Sequence, residues 1–492
     1  MIGNSIVTPI QALWSRFQVS VVEKRTDVHG FWLHPEDLPD FVCESATAMR
    51  YLDLLGPLSW AQLPERNLVR NWGQPTISNA AFLAACLIKL EEGRDSMGDL
   101  LLYLREHPAL IWLLGFPLTP TSQHPFGSEP QASLPTERHM ARLLRHTPNS
   151  TIQHLLNSSV QLLFEEFARQ GIPVESAISL DTKHILAWVK ENNPKAYVED
   201  RFNKTRQPKG DPDCKLGCKR KHNKRPLQME PPVTPSKNPV PVDTVQVGEF
   251  YWGYGSGIVV VKVPDQGEFV LAEMTQPFDH SDLSYFFPLM TKTEQILGHK
   301  PRFGTFDAAF DAWYVYDYFH REDDPQAFAA VPFSEKGGYK SKGRKFDPQG
   351  LPICAGGLAM PLLFTFTDRT SCLIEHERGK YGCPLFFPQP TRQTCPVHHK
   401  RANKKKKGCT AMMPTSIGAR LRYSLDRDSQ LYKDLYRQRT AVERINSQAF
   451  HLGIERPHLR NGDAIANLNT LIYTLINLRL FHRLRQHLNS TK

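Results

Sequence analysis

Three side chains near the C-terminal end of the chain have the types and spacing that phosphodiester chemistry needs. Tyr436, Arg439 and Glu443 follow one another at steps of three and four residues. In an α-helix this spacing places Tyr436 and Glu443 almost directly above one another, with Arg439 between them and slightly to one side. The carboxylate could bind a metal ion, and the guanidinium could bind two phosphate oxygens at once. Such residues are also common partners on ordinary helix surfaces, so their meaning depends on acidic residues elsewhere.

The segment that carries these residues, from Leu431 to Phe450, contains neither Gly nor Pro. Its apolar residues recur at helical spacing, which predicts one helix with a single buried stripe. The members of the stripe are Leu431, Leu435, Val442, Ile445, Ala449 and Leu452. We therefore expect the three polar side chains to flank a face that packs against the core.

Two aspartates upstream stand where strands are predicted to end. Asp181 ends the alternating stretch VESAISLD, and Asp307 ends the short stretch RFGTFD. A hairpin around 264–267 and a helix lie between them, and a helix and a further strand follow. The order strand, hairpin, helix, strand, helix, strand predicts a mixed α/β sheet of the RNase H-like kind, with antiparallel strands before parallel ones.

In such a sheet both aspartates project from the same edge, and Glu443 could close the site from one side. Two divalent ions about 3.5–4 Å apart, held by carboxylates, can activate an attacking oxygen and stabilise a leaving one. Each Asp alone would more simply cap a turn. An aspartyl phosphatase using the LDT motif is a weaker alternative, because that chemistry usually has a second Asp where Lys183 stands.

Composition favours an anionic partner. The 492 residues carry a formal net charge of +10, which points first to nucleic acid. No apolar run reaches the ~20 residues of a membrane span, and the stretch 464–480 is predicted as a core helix. The nine cysteines and the absence of a signal-like N-terminus favour a reduced, cytoplasmic setting, and a nucleic-acid partner would make the protein nucleoid-associated.

The chain divides into four predicted regions. Residues 1–175 are predicted to be mostly helical. Residues 176–334 hold the first part of the sheet, interrupted by a basic and Pro-rich insertion at 201–242. Residues 335–427 form a β-rich insertion with five of the cysteines, and 428–492 form the helices that carry Glu443.

Two basic segments could contact DNA. Arg138, Arg142 and Arg145 share one face of a predicted helix, which is either a solvated basic face or a DNA-contacting one. In 201–225, ten of 25 residues are Lys or Arg, among them Lys219 and Arg220. This stretch is predicted not to pack into a core, and to serve either as a tether or as a contact to the DNA backbone.

The cysteines leave two interpretations open. Cys214, Cys218 and His222 lie at short spacing in the first insertion, and the second insertion holds a further set, Cys383, Cys395, His398 and Cys409. Either set could bind a structural zinc ion, or the thiols could be free or buried. Cys43 and Cys86 lie in apolar helical contexts and are predicted to be in the core.

Three motifs resemble those of the DDE transposases of bacterial insertion sequences, in the branch with a Y-x2-R-x3-E-x6-K helix. They are SLDTKH around Asp181, FGTFDAAFD around Asp307 and YRQRTAVERIN around Glu443. The second also has the family's D-x-x-[YF]-D form. The N-terminal stretches GDLLLYLREHPALIWLLGF and LPTERHMARLLR are similar to the family's leading segment, which implies that the helical region 1–175 serves DNA binding and oligomerisation. The resemblance covers nearly the whole chain and is weakest in the two insertions.

The resemblance implies a Mg²⁺- or Mn²⁺-dependent enzyme with two ions held by Asp181, Asp307 and Glu443. Water would cut at the ends of the element, and the freed 3′-OH would attack target DNA, with no covalent enzyme intermediate. Tyr436 and Arg439 would position the DNA backbone, and the active complex would contain a homodimer on double-stranded DNA. Phe450 stands where the family has Lys. A DNA-binding derivative that cuts nothing is the alternative.

Overall fold

The computed structural model describes residues 30–65, 76–124, 127–174, 177–219, 249–334, 344–369, 373–398 and 408–490. Within them, helices precede, interrupt and follow a mixed central sheet, and a smaller antiparallel sheet lies before the last helices. The α/β class expected from the sequence is therefore confirmed.

The first part of the described chain is helical. Its helices are α1 (Asp40–Cys43), α2 (Ala46–Leu55), α3 (Asn79–Glu91), α4 (Met97–Glu106), α5 (Pro108–Leu113), α6 (Pro130–Ser133), α7 (Glu137–His146) and α8 (Asn149–Arg169). A Ser or Thr side chain caps α2, α3, α4 and α7 by accepting a backbone N–H. Nearly every residue of α3 is buried, including Cys86 as predicted. Cys43 was wrongly predicted to be in the core, since it is exposed at the end of α1, where Val42 is the buried residue.

The central sheet has six strands. In chain order they are β1 (Ala177–Leu186), β2 (Lys215–Lys219), β3 (Glu249–Val263), β4 (Gly267–Pro277), β5 (Phe303–Thr305) and β6 (Phe328–Ala330). The spatial order is β2-β3-β1-β5-β6, and β4 pairs with β3. β1 is antiparallel to β3 and parallel to β5, which is parallel to β6. The predicted hairpin is β3–β4, whose turn places Asp265 and Gly267 at positive φ.

The first strand is longer than the sequence indicated. Asp181 was predicted to end it, but β1 continues to Leu186 as the antiparallel partner of β3. Only the parallel pairing with β5 stops early, at Ser179 opposite Thr305. The predicted strand end was therefore wrong, because β1 continues beside β3. Near Asp181 it is only the pairing of β1 with β5 that ends.

Six helices follow the strands or cover them. They are α9 (Phe286–Leu297), α10 (Trp313–Phe319), α11 (Gly418–Ser424), α12 (Gln430–Arg437), α13 (Thr440–His451) and α14 (Gly462–Ser490). α14 is a core helix, as predicted, and the side chain of its buried Asn477 bonds both the N–H and the C=O of Val270 in β4, each at 2.8 Å. In the described part of the chain, no helix combines the length and apolarity needed to cross a membrane.

The segment predicted as one helix from Leu431 to Phe450 is two helices. α12 ends at Arg437, and a tight turn at Gln438 and Arg439 leads into α13. Leu431, predicted to be buried, is 48% exposed, whereas Leu435 and the stripe residues Val442, Ile445 and Ala449 of α13 are buried. The interruption of the helix therefore places Arg439 at a corner between two helices.

The first insertion is only partly a solvated loop. Its residues 211–219 pack onto the sheet, because β2 pairs with the start of β3 and both Cys214 and Leu216 are buried. The prediction that the stretch 201–225 does not join a core was wrong for this part. Residues 220–248, with Arg220 and His222, lie outside the described residues, as does the side chain of Lys219.

The second insertion is built from short strands, namely β7 (Lys345–Phe346), β8 (Pro352–Ile353), β9 (Leu362–Asp368), β10 (His376–Gly382) and β11 (Thr410–Pro414). β10 lies between β9 and β11, and both pairings are antiparallel. Its buried apolar groups form two small clusters of four and three residues. The core of this region is therefore small compared with that of the central sheet.

Candidate active site at the edge of the central sheet

Strand register brings the two predicted aspartates to equivalent positions. Ser179 of β1 lies opposite Thr305 of β5 in the last pair of their parallel ladder. Asp181 and Asp307 each follow that pair by two residues. Because side chains alternate along a strand, both aspartates leave the sheet at the same edge. Beyond the ladder the backbone of Asp307 turns into a short 3₁₀ helix, and its Oδ1 accepts the N–H of Ala309 at 2.8 Å.

The turn between α12 and α13 is attached to the same place. The hydroxyls of Ser179 and Thr305 are hydrogen-bonded to each other at 2.6 Å and are buried. The Ser179 hydroxyl also lies 3.4 Å from the carbonyl oxygen of Gln438. This contact holds the backbone immediately before Arg439 above the end of the parallel ladder. The apolar face of α13, including Val442 and Ile445, is buried beneath it.

Arg439 bridges two of the three predicted carboxylates. Its Nη1 donates to Oε1 of Glu443 at 2.7 Å, and its Nη2 lies 3.3 Å from Oδ2 of Asp181. The Arg439 and Asp181 side chains are 20% and 16% exposed, while Glu443 is 59% exposed. A buried guanidinium therefore supplies the positive charge between a sheet carboxylate and a helix carboxylate.

The electrostatics of Asp181 reflect this crowding of charge. Burial raises its pKa to about 6, Arg439 opposes that rise, and the carboxylates of Asp307 and Asp282 add to it. Burial also raises the pKa of Tyr436, whose phenol interacts with Arg439 and with all three predicted carboxylates. The five residues singled out from the sequence thus form one electrostatically coupled group.

Asp282 is an acidic neighbour that the sequence analysis did not identify. It begins the 3₁₀ helix Asp282–Tyr285, and its Oδ1 accepts the hydroxyl of Thr182 at 2.7 Å. Tyr285 fixes this helix against β3 by donating to the carbonyl of Gly255 at 2.8 Å. A Cβ at Gly257 would lie 2.4 Å from the Tyr285 ring, so glycine is required for this approach. No local motif marked Asp282, because only tertiary packing brings it beside β1.

Lys183 is a second residue that the sequence analysis left unused. It lies two residues beyond Asp181 on β1 and therefore on the same side of the strand. Its ammonium forms an ion pair with Glu455 and lies 5.8 Å from the centre of the Phe450 ring. A positive charge therefore stands beside the position where the transposase motif has Lys. The alternation of side chains along β1 could have indicated from the sequence that Lys183 lies on the same side as Asp181.

The second aspartate of the FGTFDAAFD motif, Asp311, is held by contacts that stabilise the fold. Asp311 is fully buried and receives a bidentate bond from Arg422 of α11, at 2.7 and 2.5 Å. It also accepts the Tyr316 hydroxyl at 2.9 Å and the Ser334 N–H at 2.7 Å. All of these bonds join segments of the protein to one another, which separates the role of Asp311 from that of Asp307.

The other predicted DNA contacts lie on separate elements. Arg138, Arg142 and Arg145 are exposed along α7, and the short-range contact of Arg142 is with His139 at 3.0 Å. Arg145 lines a surface cavity together with Arg460 and Asp463. Their exposure on one helix agrees with either predicted use of this face.

The first cysteine set is split by the fold. Cys214 is buried in the main core, where its thiol donates to the carbonyl of Asp211 at 3.3 Å, whereas Cys218 on β2 is exposed. Among the described residues, no group of three or more His, Cys, Asp or Glu side chains is already spaced to hold a metal ion. At the sheet edge the guanidinium of Arg439 stands between two of the carboxylates that would form such a group.

Compared with models of known protein families and with curated protein sequences, the chain matches none.

Proposed function

We propose that this chain is a metal-dependent DNA transposase of the DDE type, which cuts DNA at the ends of a mobile element and joins them to target DNA. The observation that carries the proposal is the shared register of Asp181 and Asp307, with Arg439 linking Asp181 to Glu443. The two aspartates follow the last pair of neighbouring strands and Glu443 lies on the adjoining helix, and three carboxylates at one sheet edge are what phosphodiester chemistry would use.

The sheet supports an RNase H-like catalytic core. Three antiparallel strands come first, with β3 between β1 and the hairpin partner β4, and two parallel strands extend the sheet beyond β1. In open α/β sheets, sites form where parallel strands end, and the candidate site occupies that place.

The donor atoms suit Mg²⁺ or Mn²⁺, since carboxylate oxygens are the ligands that hard divalent ions take. Asp181, Asp307 and Glu443 would hold two ions, which stabilise the charge that develops on the attacking and leaving oxygens. Arg439 would then leave Asp181. In this arrangement Arg439 and Tyr436 bind the DNA backbone, and Asp307 keeps its capping bond to Ala309.

Double-stranded DNA is the proposed partner, bound by a homodimer that holds two element ends. The net charge of +10 favours it, and the exposed arginines of α7 offer a surface for backbone contacts. Arg138, Arg142 and Arg145 would contribute non-specific affinity that falls with salt concentration.

A cleavage assay on labelled DNA from both flanks of the reading frame tests the proposal. We expect nicking at a fixed position in Mg²⁺ or Mn²⁺, abolished by EDTA and in the Asp181→Ala variant, while both proteins retard the same fragment in a gel. If the wild type cut none of the fragments but still retarded them in a sequence-specific way, the result would instead support a DNA-binding derivative. The Arg439 guanidinium, which already neutralises two carboxylates, is the observation that favours that alternative.

A further inference from the structure

Four cysteines of the second insertion lie close together. Cys383, Cys395 and Cys409 pack in one small apolar cluster, and Cys409 also joins Cys354 in the adjoining cluster around Met360. All four are free thiols. They come from the end of β8, the end of β10, the long loop after it and the start of β11, so the four thiols tie together segments that are far apart in sequence.

Three of these cysteines begin tight turns. The carbonyl of Cys354 accepts the N–H of Gly357, that of Cys383 accepts the N–H of Phe386, and that of Cys395 accepts the N–H of His398, each at 3.0 Å. A turn of this kind fixes the backbone around its first residue by a local bond. The backbone at each of these three cysteines is therefore fixed without a large surrounding core.

The fourth cysteine is brought in by a glycine. Gly408 has a φ of +63°, and a Cβ at this position would lie 2.8 Å from Sγ of Cys383. A side chain at position 408 would therefore push the segments that carry Cys383 and Cys409 apart. The Cys409 and Cys383 side chains are hydrogen-bonded to each other.

We propose that Cys354, Cys383, Cys395 and Cys409 bind one structural zinc ion. Zinc takes four thiolates in a tetrahedron with sulfur about 2.3 Å from the metal, and its charge offsets the loss of the thiol protons. Binding draws the Cys354 and Cys395 turns onto the Cys383–Cys409 pair, since the four are not yet at that spacing. The backbone is already close, because a Cβ at Gly356 would lie 3.7 Å from Sγ of Cys354 and 3.5 Å from Pro396.

This ligand set differs from the one that the sequence suggested. His398, three residues after the buried Cys395, is exposed, and Cys354 takes its place. Cys372 lies outside the described residues. The ion would join the strands of the small sheet at one end, in a region whose apolar clusters hold only a few buried side chains each.

Zinc content and cobalt absorbance test the site directly. The full-length protein, purified without chelator, is expected to contain about one zinc per chain, and the reduced apoprotein should give the absorbance of tetrahedral cobalt–thiolate on adding Co²⁺. Cys383→Ser and Cys409→Ser should lose both signals. Cys218→Ser, which removes an exposed thiol outside the cluster, and His398→Ala should keep them.

Alkylation measured by mass spectrometry needs no substitution and covers the case of a variant that fails to fold. In the native protein, zinc should protect Cys354 and Cys395 from iodoacetamide, and a chelator should expose them, while Cys218 reacts in both states. A wild type with far less than one zinc per chain and no cobalt signal would overturn the site. The site would also be overturned if Cys354 and Cys395 were alkylated to the same extent with and without chelator. Neither readout depends on DNA cleavage, so the proposed transposase activity can fail independently.

Discussion

The sheet edge and the corner before α13 hold their carboxylates in different ways. Asp181 and Asp307 are positioned by backbone register, through the ladder that ends at Ser179 and Thr305. Glu443 is 59% exposed and is held by the side chain of Arg439. Register cannot change without breaking the sheet, whereas an ion pair can exchange partners. The two aspartates therefore form the rigid part of the candidate site, and Glu443 with Arg439 forms the adjustable part.

The largest expected effect concerns the rigid part of the site. It is measured by comparing Asp307 with Asp311, the two aspartates of the FGTFDAAFD motif. Asp307→Ala should lower metal-dependent cleavage by at least about 1,000-fold, because a metal ligand supplies several kcal/mol of transition-state stabilisation. Its fold should survive with the loss of one capping bond, about 1 kcal/mol. Single-turnover cleavage per folded molecule is the measurement.

Asp311→Ala is the matched control, because it leaves Arg422 buried and unpaired. It should cost about 3–5 kcal/mol in the free energy of unfolding, measured in urea, and keep cleavage per folded molecule. If Asp311→Ala silenced a fully folded protein while Asp307→Ala did not, the roles assigned to the two residues would be reversed.

The adjustable part is probed by Arg439→Met in the metal-free protein. Asp181 then loses its cationic partner, and we expect a loss of about 2–3 kcal/mol in unfolding free energy at pH 7. The loss should shrink toward pH 5, where Asp181 takes up a proton. Arg437→Met is the control, since Arg437 is 71% exposed and pairs only with exposed Asp434, and it should change stability by no more than about 0.5 kcal/mol. Equal losses in the two variants would refute a special role for the Arg439 bridge.

The same buried aspartate predicts a pH dependence. Its pKa is raised from 3.8 to about 6, so the folded metal-free protein holds the proton more tightly than the unfolded chain does. This contribution is fully present below pH 3.8 and is lost as the pH rises through about 6, with an upper size of about 3 kcal/mol. The unfolding free energy of the wild type minus that of Asp181→Asn should follow this course, and a difference that stays flat from pH 3.5 to 7 would contradict it.

The cleavage rate should rise with pH, whereas the contribution of Asp181 to the unfolding free energy falls. A protonated carboxyl cannot hold a divalent ion, so the rate at limiting Mg²⁺ should fall about tenfold per pH unit below about 6.

The sequence indicated the sheet well and the corner poorly. Strand alternation, the hairpin turn and the helices between strands are local patterns, and they were sufficient for the order of β1, β3–β4, β5 and β6. The break at Gln438 depends on a contact with Ser179, which is 259 residues away, and nothing in the helical periodicity indicates it. Asp282 was missed for the same reason.

Charge alone was a poor guide to burial. The stretch 201–225 has a basic composition, yet its residues Lys215–Lys219 form an edge strand, and Cys214 and Leu216 are buried against the core. In contrast, Lys183 could have been predicted, since alternation places it on the side of Asp181.

The smallest expected effect concerns Lys183 and Phe450, where the transposase motif and this chain differ. The Lys183 ammonium is paired with Glu455 beside the Phe450 ring, and under the proposed function it would move to a phosphate of bound DNA. Each phosphate neutralised adds about 0.9 to the slope of log affinity against log salt. Lys183→Gln should therefore lower that slope by about one unit and weaken binding several-fold, with exposed Lys190→Gln as the control. Phe450→Lys should raise the slope by a similar amount. If Phe450→Lys raises it while Lys183→Gln leaves it unchanged, Lys183 serves only its ion pair, and the DNA contact of the motif is missing from this chain.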